Sequence, residues 1–381
     1  MAPYSHPIQS LGIDERVERV LLNMPLIDGH NDLPQQPRAI TEGKIYHNPK
    51  FDLEKGFERG MTDIPRLARV SPLPSPLTFT DSAVDGQFWS ICVPCLRSAE
   101  NFSTPEYSDM ARDAIEQIDL TLRLVESYPD VFQLAHGPGD VKRIYKEGKT
   151  ACSIGIEGIG IIRALYRLGV RYCTMTQVCN NAFADSSTSK IGPVHGGLSR
   201  LGRSAVLEMN RLGMIIDCSH VSEACAHQVL DLTRAPIMFS HSNAKSVFDC
   251  PRNLPDDIID RVPANGGMIM VTFVPEHVHP PRRSNHGHAP RPSLLHREPH
   301  RMGELEDVKC YPGLLEAILD RGATEDQLAL VAGENVLRVW AGVEKVRNEM
   351  KHEGLLPIED DKLGLGWYGV PLPEEGLYLE D

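Results

Sequence analysis

The sequence predicts an α/β fold, a (β/α)8 TIM-type barrel of parallel strands and crossover helices, with the eighth strand region aberrant or missing. Three observations predict it. Short apolar runs alternate with longer segments of helical period from about residue 85 to 275, the pattern of strands joined by crossover helices. Seven such runs can be counted, one fewer than the eight that close a barrel. Several of the runs end in residues of metal-ligand type, and the C-terminal edge of the strands is where such a barrel gathers its site.

In chain order the strand-like runs are Leu26 to Asp28, Phe88 to Val93, Ala151 to Ile156, Tyr172 to Thr176, Met214 to Asp217, Pro236 to Phe239 and Met268 to Phe273. Between them Ser108 to Ser127, Ser199 to Leu212 and Ser222 to Leu232 carry apolar residues at spacings of three and four, which predicts helices. The eighth strand belongs after Phe273, and the sequence there changes in kind. From Glu276 to Gly303 it holds six histidines (His277, His279, His286, His288, His296 and His300), five arginines, several prolines and few apolar residues. That composition does not supply a buried strand. Helical period resumes at Gly313 to Asp320, Glu325 to Val331 and Glu334 to Met350. The expected organisation is one barrel over residues 12–353, interrupted by an aberrant His/Arg/Pro-rich insert or replacement at 276–303 and followed by an irregular tail at 354–381. Its 381 residues suit a single barrel of this type.

A formal net charge of -13 argues against nucleic acid or an anionic membrane as partner, because both require a basic field. A small-molecule or peptide substrate fits better. The N-terminal Met1 to Pro7 has neither a basic nor an apolar signal region, and the acidic stretch around Glu374 and Glu375 is unlike a lipid-anchor tail. No apolar run approaches the ~18 residues of a membrane span, so a cytoplasmic protein is expected. The nine cysteines are expected as buried free thiols. Cys92-Val93-Pro94-Cys95 has redox-motif spacing without opening a helix, and a redox role is not expected from it.

The chemistry gathers at four run ends. His30 and Asp32 close the first run two residues apart, and alternate strand positions point the same way, so both can grip one ion. Glu157 follows Ser153 to Ile156, His220 follows Ile215 to Ser219, and His241 follows Ile237 to Ser240. Singly, each has a bland explanation as a turn residue or a helix cap. Five at equivalent ends of four strands are not independent accidents. Three histidines and two carboxylates suit zinc or a similar divalent ion, and a carboxylate can bridge two ions.

The motifs Asp28-Gly29-His30-Asn31-Asp32-Leu33-Pro34, Gly155-Ile156-Glu157-Gly158, Leu165 to Tyr172, Asp217-Cys218-Ser219-His220-Val221-Ser222, Phe239-Ser240-His241-Ser242, Arg252 to Asp257 and Gly333 to Val339 occur in that order. Through them the chain resembles the renal or membrane dipeptidases, zinc metallopeptidases built on a (β/α)8 barrel of the metal-dependent hydrolase kind. The resemblance implies two zinc ions, one held by His30 and Asp32, the other by His220 and His241, with Glu157 bridging them. It assigns catalysis to Glu157, Gln177 and Arg252, of which Gln177 and Arg252 also bind substrate. Arg252 is expected to clamp a carboxylate through its guanidinium fork, the alternative being a salt bridge to Asp256 or Asp257.

Two departures from the family pattern stand out. The family usually carries a histidine where this chain reads Thr174-Met175-Thr176-Gln177, and Gln177 donates a neutral hydrogen bond but does not shuttle a proton. The family's last strand ends in Gly-x-Asp-Phe-Asp-Gly, a motif this chain lacks where 276–303 now stands. A replaced or misread segment accounts for that, and sequencing the transcript tests it. The competing view, an added metal site in the histidine tract, is weaker because such tracts bind loosely.

The implied function is a zinc-dependent dipeptidase acting on small dipeptides. Its substrates include the Cys-Gly part of glutathione-derived conjugates, which fungal relatives process when making sulfur-containing secondary metabolites. One alternative is a catalytically impaired barrel that binds metal and dipeptide-like ligands. Another is a different binuclear amidohydrolase, although those commonly bridge their ions with a modified lysine, and Glu157 is the bridge available here. Relatives are often homodimers, and no stripe in the sequence marks an interface.

Overall fold

The computed structural model describes residues 15–57, 60–67, 84–93, 95, 106–158, 161–278 and 307–358. Its strands form one sheet in which every pairing is parallel. They are β1 (Ile27–Asn31), β2 (Gly86–Cys92), β3 (Phe132–Leu134), β4 (Thr150–Glu157), β5 (Val170–Thr174), β6 (Ile215–Asp217), β7 (Met238–Phe239) and β8 (Met268–Ile269). The order across the sheet is β1-β2-β4-β5-β6-β7-β8, with β3 beside the first half of β4. Each of the seven predicted runs becomes a strand. β3 is an addition, since Phe132-Gln133-Leu134 is too short to stand out as an apolar run.

Alternation along the strands sorts their side chains into two layers. Phe88, Tyr172, Ile215 and Met238 share a buried cluster with Leu337, Val339 and Trp340 of the helix Asn335–His352. Their strand neighbours Cys173, Ile216 and Phe239 belong instead to a cluster with Val206 and Met209 of the helix Arg200–Leu212 and Val229 of the helix Glu223–Leu232. Each large apolar side chain so buried contributes about 1.5–3 kcal/mol. The helices start where the sequence predicts, one residue after a capping serine: Ser199 accepts from the Gly202 amide and Ser222 from the Cys225 amide.

β8 and β1 are the two ends of the path, and among the described residues no strand joins them. Side chains occupy that seam. Gly29 of β1 lies under Met270, just past β8, so closely that a Cβ there would sit 2.1 Å from the methionine sulfur. Tyr311, which opens the helix Tyr311–Asp320, hydrogen-bonds Asp28 from the same side. Gly333, in a π-helical turn over Leu330–Glu334, abuts the Pro25 carbonyl where the chain enters β1, and any side chain there would collide with it. This barrel therefore keeps the family outline with an aberrant eighth position. Most of the His/Arg/Pro-rich stretch, from residue 279 to 303, lies outside the described residues, as do residues 304–306 and the tail from 359. What is described of the stretch begins with a single 3-10 turn, Pro275–His277, where a strand would have run. No described helix is long and apolar enough to cross a membrane.

Candidate metal centre

β1 and β4 deliver their ligand-type residues from the strand body, while those of β6 and β7 sit in the turns beyond. His30 lies in β1 with Asp32 just past it, Glu157 is the last residue of β4, and His220 and His241 follow β6 and β7. They converge on one carboxylate oxygen. His220 Nε2 is 3.2 Å, His241 Nε2 3.3 Å and His30 Nε2 3.6 Å from Glu157 Oε1. His30 Nε2 is also 3.4 Å from Asp32 Oδ1, and the Nε2 atoms of His220 and His241 are 2.9 Å apart. The His30 and His241 rings stack with centroids 3.9 Å apart.

Whether this group suits a cation is decided by its unpaired atoms. Glu157 Oε1 and Asp32 Oδ1 are buried and, among the described residues, are met by these imidazole nitrogens without a hydrogen bond of good geometry. Burying a carboxylate oxygen without a donor is costly, and three imidazole nitrogens facing it are the partners a divalent ion uses. The donor set of three nitrogens and two carboxylates fits zinc-type coordination.

The electrostatics of the cluster are mutual. Burial opposes ionisation of Glu157, but the facing His220 and His30 outweigh it and hold the carboxyl down at about 2. Burial also opposes a charged His30, yet Glu157 and Asp32 raise it to about 9. His241 goes the other way, driven well below the usual imidazole range by burial and then by His30 and His220. His220 is likewise lowered, chiefly by burial. Any proton held by a coordinating imidazole must leave when a cation binds.

His220 also carries backbone strain, with φ at 68°. A non-glycine residue in this left-handed region persists only when its surroundings hold it there. The Ser187 amide and the Ser186 hydroxyl both donate to its carbonyl.

Arg252 is buried beside the cluster. Its Nη2 donates to the His241 carbonyl at 3.4 Å, while Nε has no described partner. Burial depresses its pKa, with Glu157 opposing that. The alternative salt bridges are not formed: Asp256 accepts from Ser246, and Asp257 pairs with His227. Arg252, His220, Ser242 and Asn253 line a small pocket.

Gln177 is not drawn into the five-residue cluster. It lines a second small pocket with Val93, Met110, Gly158 and Cys179. Its amide lies between two sulfurs, Nε2 3.4 Å from Cys92 Sγ and Oε1 3.3 Å from Cys95 Sγ. Cys95 is not a free thiol as expected; it forms a disulfide with Cys179, tying the loop after β2 to the loop after β5. The other seven cysteines are free. Sequence reasoning also passed over the hydroxyls behind the ligands. Tyr172 lies 2.7 Å from His30 Nδ1 and Ser240 lies 2.6 Å from His241 Nδ1. The available signal was a serine directly before the histidine in both Ser219-His220 and Ser240-His241.

Comparison with known proteins agrees with this fold. The sequence profile described as "Membrane dipeptidase (Peptidase family M19)" matches residues 14–291 and 298–354. Dipeptidase verJ of Clonostachys rogersoniana is 38% identical over 360 residues, covering 88% of this chain and 88% of its own length. Dipeptidase tcpJ of Claviceps purpurea (strain 20.1) is 36% identical over 364 residues, covering 89% of this chain and 81% of its own. Among solved structures, the probable dipeptidase PvdM from Pseudomonas aeruginosa superposes with a TM-score of 0.67 at 21% identity, covering 87% of this chain and 98% of its own. A metallo peptidase from Rhodobacter sphaeroides, liganded with a phosphinate mimic of the dipeptide L-Ala-D-Ala, gives 0.64 at 19% identity, covering 84% and 99%. These two share the fold. With the profile spanning most of its length, the chain belongs to the membrane dipeptidase family, peptidase family M19, and is a metallo-dipeptidase.

Proposed function

We propose that this chain is a zinc-dependent dipeptidase that hydrolyses small free dipeptides, with two ions held by His30, Asp32, Glu157, His220 and His241. His30 and Asp32 form one half of the site, His220 and His241 the other, and Glu157 stands between them. The observation that carries the reading is the meeting of three imidazole nitrogens at Glu157 Oε1, a buried oxygen with no well-formed hydrogen bond among the described residues. Zinc bound there supplies Lewis acidity and a readily ionised water.

The remaining steps belong to the chain's own groups. Arg252 lines the pocket and has a buried, unpaired Nε–H, and its guanidinium is the group to receive the carboxylate of a dipeptide. The dipeptide mimic seen in the Rhodobacter protein has the chemistry such a clamp receives. Gln177 donates from its amide to the developing oxyanion, as a neutral group. Within the substrate class we take Cys-Gly dipeptides from glutathione conjugates as the members to test first; the fungal relatives' names support dipeptide hydrolysis in general.

A second reading is favoured by one specific observation. Between Ile269 and Val278 the only acidic residue is Glu276, and it is exposed. A rim with no buried acid among the described residues there, and with Gln177 in place of a histidine, binds dipeptides better than it turns them over. Incubating metal-loaded and chelator-treated protein with Cys-Gly and a panel of dipeptides tests both readings. Metal-dependent hydrolysis supports the first, calorimetric binding without hydrolysis the second, and neither binding nor hydrolysis overturns both.

A further inference from the structure

We propose that Asp217 and Ser240 form a positioning relay that fixes which nitrogen His241 offers to the metal centre. The relay begins with a fully buried carboxylate whose acceptor sites are filled. Asp217 Oδ1 accepts from the amides of Ser219 at 3.0 Å and Ser240 at 2.9 Å. Its Oδ2 accepts from the Ser240 hydroxyl at 2.7 Å and from the Thr174 hydroxyl. Asp217 is 0% and Ser240 3% exposed, so these bonds are made away from competing solvent and hold one arrangement.

Counting protons sets the tautomer. A serine hydroxyl has one proton to give and two lone pairs to offer. Ser240 gives its proton to Asp217, because the carboxylate has none to return. Only lone pairs are left to face His241 Nδ1, 2.6 Å away. Nδ1 must then carry the ring proton, and Nε2, which faces Glu157 Oε1 and His220 Nε2, keeps its lone pair for a cation. The His241 amide is fixed in turn by the Ser219 hydroxyl at 3.1 Å, so both ring and backbone are anchored on the same pair of turns. His220 provides the contrast, since its buried Nδ1 has no partner among the described residues. The Ser240 hydroxyl also lies 3.5 Å from His30 Nδ1, whose nearer partner is Tyr172 at 2.7 Å, so the relay acts chiefly on His241, and it ties the ends of β5, β6 and β7 to a single carboxylate.

The inference rests on reading the cluster as a metal centre and is independent of which peptide is cleaved. Its test compares the full-length parent with Ser240→Ala, Ser240→Thr and Asp217→Asn. Zinc affinity is measured by competition with a chromogenic chelator, and the tautomer by nitrogen NMR of histidine-labelled, metal-free protein. Groups behind a metal ligand typically account for roughly 10–100-fold in affinity. Ser240→Ala is expected to weaken zinc binding by that factor and to abolish the single Nδ1-protonated form of His241. Asp217→Asn acts in the same direction, and Ser240→Thr, which keeps the hydroxyl, restores both readouts. Parent-like zinc affinity in Ser240→Ala overturns the proposal, as does an Nε2-protonated His241 in the unsubstituted protein. The second result stands even where a variant fails to fold. A parent that takes up no zinc instead sinks the metal reading of the site, while the tautomer spectrum still decides the relay.

Discussion

Glu157 and His220 meet at 3.2 Å, although one ends β4 and the other sits in a strained turn beyond β6. The contact joins the two halves of the proposed site. Glu157→Gln keeps the shape of the side chain and removes the charge that faces three imidazoles. Metal affinity and hydrolysis are both expected to fall by more than the roughly 10–100-fold seen for supporting residues. Metal content and initial rates on the same preparation check this, and a variant retaining full metal content would contradict the bridging role.

In the proposed function Gln177 is a neutral amide donor, which cannot carry a proton as an imidazole can. Gln177→Ala is expected to lower kcat, and removal of a transition-state donor typically costs about 2.7–4 kcal/mol. Gln177→His is expected to raise kcat and to add a limb to the pH–rate profile in the region of imidazole titration, about pH 6.5. Steady-state kinetics between pH 5 and 9 on parent and variants measure both effects.

The disulfide between Cys95 and Cys179 closes a loop with a sequence separation of 84. On the chain-entropy account a loop of that order contributes about 4–5 kcal/mol. Thiol titration of the unfolded, unreduced protein is expected to count seven of the nine cysteines, rising to nine after reduction. Reduction should lower the melting temperature and, because both sulfurs near the Gln177 amide belong to this region, change kcat as well. Nine titratable thiols without reductant would rule the bond out.

Much of this architecture is legible in the sequence, for physical reasons that also mark the limits. The strands β1, β2 and β4 to β8 are readable because each is a short apolar run between helix-period segments. His30, Asp32, Glu157, His220 and His241 are readable because polar ligand types terminate those runs. β3 was missed since three residues carry no period. The Cys95–Cys179 bond was missed because pairing depends on how close two loops come in space, which spacing in the sequence does not encode. The same holds for Ser240, whose role comes from Asp217 and His241 lying on either side of its hydroxyl. The seam filled by Met270 over Gly29 is likewise a property of the folded chain.

Glu208 offers a test of pH-dependent stability away from the site. Its buried carboxylate accepts from Arg211 at 2.7 and 2.8 Å and from Arg163 at 3.2 Å. Burial works against ionisation, but Arg211 and the Ile358 amide prevail and its pKa is lowered. A carboxyl lowered in the folded state adds stability above its unfolded pKa, about 4.3, and loses it as pH falls through the folded value. Glu208→Gln should therefore cost about 1.5–3 kcal/mol at pH 7, with the gap to the parent closing as the pH drops below about 4. Urea melts at several pH values report it, and a gap that does not vary with pH would show that the ion pairs contribute nothing.

The most direct test of the central claim is the metal content and dipeptide hydrolysis of one preparation, before and after chelation. The account predicts two zinc ions per chain, hydrolysis that disappears when they are removed, and recovery when zinc is returned. Hydrolysis undiminished in metal-free protein, or a chain that binds no divalent ion at all, would contradict it.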